Sequence, residues 1–183
     1  MDDKQKIWTS VGSAGILNQA DLAKVTLHQS IIQLGVDIVS PPVQEGTAAA
    51  GRPTGQPGLG FPTTQAVARY NVTPVDGLFF QQVPSRPFHY GLRLRYLGHV
   101  TATFVEVDLQ TGAENVLITF DSTSFPASPF FQVQSAFAQH FEGVVDFVKK
   151  AYYVEATLTA PTLIVGHPAA ISIVKLVAEQ IGF

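Results

Sequence analysis

Arg93 and Arg95 stand two residues apart in the segment HYGLRLRYLGH, with His89 and His99 at its two ends and Arg86 just upstream. Two guanidinium groups at this spacing suit an anion. On an extended strand they fall on one face, about 7 Å apart, and each offers a planar fork of donors to a carboxylate, sulfate or phosphate. The histidines are poorer partners, since a straight strand would hold them roughly 30 Å apart. The plainer reading is a wet sheet face, with Arg95 reaching toward Asp121 and Arg93 lying over Thr103. The anion-binding reading therefore takes Arg93, Arg95, Asp121 and Thr103 as its candidate residues.

Other chemistry is thin. Gly12-Ser-Ala-Gly15 has the wrong spacing for a nucleophile elbow, and Asp121-Ser-Thr-Ser124 is expected to form a turn, because these side chains satisfy nearby backbone groups. His28, His89, His99, His140 and His167 show no spacing that converges on a metal from one element, so no metal and no cofactor is expected. Glu106, Asp108 and Glu114 border Asp108-Leu-Gln-Thr-Gly, which lacks the alternating oxygen ligands of an EF-type calcium loop. GRPTGQPGLG has the glycines of a phosphate loop but not its Gly-Lys-Ser/Thr ending. Asn71-Val-Thr73 matches a glycosylation acceptor only formally, with Pro74 behind it. The aromatic residues come in pairs, Phe79-Phe80, Phe130-Phe131 and Tyr152-Tyr153, with Phe88 and Tyr90 close together. Strand alternation turns one ring of each adjacent pair outward, so Phe80, Tyr90 and Tyr153 are candidates for an aromatic contact surface.

The elements that must carry these residues read as strands. In HYGLRLRY, Tyr90, Leu92, Leu94 and Tyr96 form the apolar side, opposite His89, Gly91, Arg93 and Arg95. Val100–Val107 and Asn115–Asp121 follow around a loop at 108–114. Matching apolar to apolar sets Leu94 opposite Ala102 and Leu92 opposite Phe104, with Arg95 beside Thr101 and Arg93 beside Thr103. The same rule pairs Ala102 with Phe120, Phe104 with Ile118, Thr103 with Thr119 and Thr101 with Asp121, because a one-residue slip would invert every face. The expectation is a three-stranded antiparallel meander.

Elsewhere, Ile7-Trp8 and Val11 predict an N-terminal edge strand within an arm at 1–23, and Asn18 is expected to cap one helical turn. Lys24–Leu34 reads as a single strand, as do Gln65–Val72, Leu78–Val83, 152–159 and Ala170–Val177. Residues 130–150 fit strand or helix, and Gly143 favours strand followed by loop. Five Pro and five Gly between residues 40 and 64 exclude regular structure there. The fold expected over 1–183 is a single all-β domain: an antiparallel, jelly-roll-like β-sandwich of about 8–10 strands. A closed β-barrel is the alternative.

Composition narrows the function. Charged residues make up 14% of the 183-residue chain, against roughly 25% in an average soluble domain, so colloidal repulsion is weak and self-association is favoured. A net charge of −3 without a basic run opposes a nucleic-acid binder. Zero cysteines remove disulfides and thiol catalysis. No apolar stretch is long enough to span a bilayer. No signal-peptide pattern is visible at residues 1–15, and the compartment stays open, a mature extracellular or assembly-associated form being compatible. The expected function is a non-catalytic, self-associating structural subunit of coat, filament or adhesion type, pairing with itself as a homo-oligomer or polymer. The alternatives are a glycan- or small-molecule-binding module, and a barrel-type isomerase or lyase acting on an anionic substrate through Arg93 and Arg95.

Overall fold

Alternation of large apolar with polar residues recurs along the chain, and among the described residues it builds eleven strands, beside one short helix. The computed structural model describes residues 6–35, 65–73, 88–138, 146–160 and 168–180. The expected loop at 40–64, the strand expected at Leu78–Val83, and residues Phe80, His140 and His167 lie outside them.

Strands β1 (Lys6–Val11), β3 (Val25–His28), β4 (Ile31–Leu34), β6 (Phe88–Leu97), β9 (Gln132–Phe137) and β11 (Ala170–Gln180) form one sheet. Its order is β3-β4-β11-β6-β9, and β1 joins the edge of β11 beyond β4. Strands β2 (Ile16–Leu17), β5 (Gln65–Val72), β7 (His99–Asp108), β8 (Glu114–Asp121) and β10 (Lys150–Thr159) form the second, in the order β2-β5-β10-β7-β8. All pairings are antiparallel. Both sheets have edges, so the fold is a two-sheet β structure and the closed-barrel alternative falls away.

The inner faces carry the apolar sets. Tyr90, Leu92, Leu94 and Tyr96 of β6 are buried, as are Tyr152, Val154, Ala156 and Leu158 of β10. They meet Ala102, Phe104, Ile118 and Phe120 from the other strands in one core cluster. The edge of the Tyr96 ring meets Phe120 with centroids 5.3 Å apart, a contact that joins β6 in one sheet to β8 in the other.

The β7–β8 hairpin has the expected register, with Thr101 opposite Asp121, Ala102 opposite Phe120, Thr103 opposite Thr119 and Phe104 opposite Ile118. The expected β6–β7 pairing is corrected. Gly98, with φ +70°, turns the chain out of one sheet and into the other. β6 pairs with β11 and β9, and β7 with β10 and β8. A second correction concerns Lys24–Leu34. Gln29, at φ +53°, reverses the chain there, so one expected strand becomes the β3–β4 hairpin. Ile32 and Leu34 are buried, while Leu27 is exposed.

Asn18 does cap a helical turn, α1 (Gln19–Leu22), by accepting from the Asp21 amide at 2.7 Å. The Asp21 carboxylate then ties α1 to its surroundings. It accepts from Lys24 Nζ at 2.7 Å and from the Val67 amide of β5 at 3.3 Å.

Candidate functional site

Because Tyr90, Leu92, Leu94 and Tyr96 fill the core, alternation sends Gly91, Arg93 and Arg95 to the outer face of the first sheet. The register then decides their neighbours. Arg93 lies opposite Ser135 of β9 on one side and Lys175 of β11 on the other, and Lys175 lies opposite Thr9 of β1. The row Ser135–Arg93–Lys175–Thr9 thus crosses four strands. The next row is Val133–Arg95–Ile173–Val11. Three cations therefore share this face, and Lys175 is one that only the non-local β6–β11 pairing reveals.

Neutral groups hold the two arginines. Arg93 Nε donates to Ser135 Oγ at 2.8 Å. Arg95 Nη1 donates to Ser172 Oγ at 2.9 Å, and its guanidinium lies 4.7 Å from the Phe131 ring centroid. Ser172 is buried at a register shift in β11 and donates in turn to the Arg95 carbonyl oxygen at 3.3 Å. Among the described residues, no carboxylate pairs with Arg93, Arg95 or Lys175. Cations elsewhere have such partners: Lys24 with Asp21, Arg69 with Glu155 and Lys150 with Glu106.

The structure divides the four residues expected around an anion. Thr103 faces outward on the second sheet beside Thr119 and Glu155, so it does not approach Arg93. Asp121 ends β8 and accepts from the Thr123 amide and hydroxyl, both at 2.8 Å. Those bonds, the amide first, hold its carboxyl below the ordinary aspartate range. Asp121 is a turn former, as its sequence context implied, and Arg95 turns to Ser172 instead. His99 opens β7 near Asp121 and His28 ends β3 on an exposed position. His89 lies opposite Glu179 in the β6–β11 ladder. Among the described residues, no three His, Asp or Glu side chains converge on a point that could hold a metal.

The expected aromatic surface is also revised. Tyr90 is 1% exposed, because it shares the inward side of β6 with Leu92 and Leu94. Tyr153 does face outward, yet the Arg69 guanidinium covers its ring at 4.8 Å and leaves it 9% exposed. More exposed rings lie elsewhere. Phe130 is 77% exposed and Phe137 44%, the first just before β9 and the second at its end.

β9 itself is an edge. It pairs with β6 on one side and with no strand on the other among the described residues. Its sequence, Gln-Val-Gln-Ser-Ala-Phe, carries neither charge nor proline. Val133 on its outer side is 55% exposed. Such an edge offers unpaired backbone groups without the devices that usually block them. Side-chain parity does not reveal it, since edge position depends on sheet order.

No protein-family model matches the chain, and no curated protein matches it.

Proposed function

We propose that the chain is a non-catalytic structural subunit that self-associates through β9, on a jelly-roll sandwich. Two four-stranded paths, β4-β11-β6-β9 and β5-β10-β7-β8, support the jelly-roll reading. From β4 onward every step along the chain changes sheet except β7 to β8, which is the alternation of two interlocked Greek keys.

The observation that carries the reading is the uncharged β9 edge, bordered by the exposed Val133 and Phe137. Two β9 strands related by a two-fold axis would pair antiparallel, an isologous contact that closes a dimer. With no charge on the strand, the pairing opposes no like charges. Its exposed apolar side chains leave water at the joined face. Fold alone assigns no activity.

Mass by light scattering across a concentration series tests this. The native chain is expected to form a species heavier than the 19.7 kDa monomer. Val133→Lys sets like charges across the proposed junction and is expected to return a folded monomer. A native chain that stays monomeric at every concentration overturns the reading.

A further inference from the structure

Lys175 and Arg93 face each other directly across the β6–β11 ladder. Like charges at such positions repel, with β-carbons only about 5 Å apart. Arg95 stands two residues along the same strand, about 7 Å from Arg93, so three half-buried positive charges form a triangle on the outer face of the sheet. Each of the three ion pairs found among the described residues lies elsewhere. The serine contacts orient the guanidiniums without neutralising them. Ser135 engages Nε of Arg93, and among the described residues no acceptor takes its two terminal nitrogens. Ser172 likewise holds one terminal nitrogen of Arg95.

We propose that this triangle binds a tetrahedral oxyanion, a phosphate or sulfate group, between Arg93, Lys175 and Arg95. A tetrahedral anion presents three oxygens to three donors at once, whereas a carboxylate presents two. Guanidinium forks already fixed by Ser135 and Ser172 lose little freedom on binding. Phe131, stacked beside Arg95, gives the site an apolar wall. The group is either a free inorganic anion or the ester of a larger molecule whose apolar part reaches that ring.

The test is a titration of the intact chain with inorganic phosphate and with sulfate, followed by amide resonances and thermal stability, against chloride at equal ionic strength. Saturable shifts centred on Arg93, Arg95, Ser135 and Lys175 are expected. Lys175→Gln, which removes one charge-assisted contact, is expected to weaken binding about tenfold. Without added anion the same variant is expected to melt no lower than the native chain, since it relieves the repulsion. Arg69→Gln, on the other sheet, is expected to bind as the native chain does. A phenyl phosphate arm separates the two sources: tighter binding than inorganic phosphate assigns an ester, and equal binding assigns the free anion. Shifts no larger than those with chloride, or binding unchanged in both Lys175→Gln and Arg93→Gln, overturn the proposal. Val133→Lys, opposite Arg95 in the ladder, adds a cation beside the site and is expected to bind the anion at least as tightly as the native chain while staying monomeric, so failure of the assembly reading leaves this one standing.

Discussion

The ring of Phe137 occupies the space that a β-carbon on Gly91 would need. The two residues are opposite each other in the β6–β9 ladder, and a β-carbon built on Gly91 would lie 2.7 Å from the ring. Glycine in mid-strand forgoes packing and costs backbone entropy; here its bareness lets the Phe137 ring approach β6 closely. Gly91→Ala is therefore expected to displace the ring and destabilise the chain by about 1–2 kcal/mol. Truncating Phe137 removes the clash, so Gly91→Ala in a Phe137→Ala background is expected to be milder by about 0.5–2 kcal/mol. A urea-unfolding double-mutant cycle reads the coupling, and additive effects would contradict the packing.

A closer approach surrounds Gly12. A β-carbon there would lie 1.9 Å from the carbonyl oxygen of Ile171, which is backbone and cannot step aside. The Gly12 carbonyl also accepts the buried Tyr70 hydroxyl at 2.9 Å. Gly12→Ala is expected to unfold the chain or cost more than about 3 kcal/mol, as severe overpacking does. Tyr70→Phe keeps the packing and removes one of the two donors to that carbonyl, the Gly15 amide remaining at 3.2 Å, at about 0.5–1.5 kcal/mol. Denaturant midpoints distinguish the two.

All five tyrosines are held above their ordinary range, chiefly by burial, with Tyr152 pushed up to about 12. A raised folded-state value means the neutral form is favoured by folding. The stabilisation is whole below the unfolded value of 10.0 and drains away as pH climbs through the folded values. Alkaline titration should then show little tyrosinate absorbance until the circular dichroism collapses, both changing together. Tyrosinate forming near pH 10 in a chain that remains folded would refute this.

The acid limb has the opposite sign. Lys24 leads the causes that lower Asp21, and the Thr111 amide leads those that lower Asp108. Their contribution, with that of Asp121, is present above about 3.8 and is lost as pH falls through the lowered folded values. Asp21→Asn removes the buried member and is expected to flatten the acid limb of a stability–pH curve. A curve parallel to that of the native chain would contradict the assignment.

Which parts of this were legible in the sequence follows from how far each contact reaches along the chain. Side-chain parity reveals the register of β7 and β8 from Thr101 to Phe104, because only one alignment keeps Phe104, Ile118 and Phe120 on one side; beyond Phe104 a register shift sets Val105 opposite Val116, which parity does not show. Parity along β6 identified its buried side equally well but could not say which sheet receives it. Gly98 permits either a hairpin or a crossover, and the choice rests on β11, some eighty positions away. The Arg93–Lys175 opposition and the open β9 edge depend on that same long-range order. Local spacing thus reveals Arg93 and Arg95, whereas their neighbours follow only from long-range strand order.

Ser122 supplies a last, local case. It opens the turn Ser122–Ser124, where its buried Oγ accepts from the Val100 amide at 3.0 Å. Val100 near the start of β7 pairs with Leu158 of β10, and its amide is met by a side chain from beyond the end of β8. Ser122→Ala leaves that buried N–H without an acceptor and is expected to cost about 1–3 kcal/mol. Ser124, exposed two residues on, should tolerate alanine within about 0.5 kcal/mol. Amide exchange at Val100 gives the sharper reading: it should accelerate in Ser122→Ala and not in Ser124→Ala. Equal exchange in the two variants would mean that the turn packs against β7 without securing it.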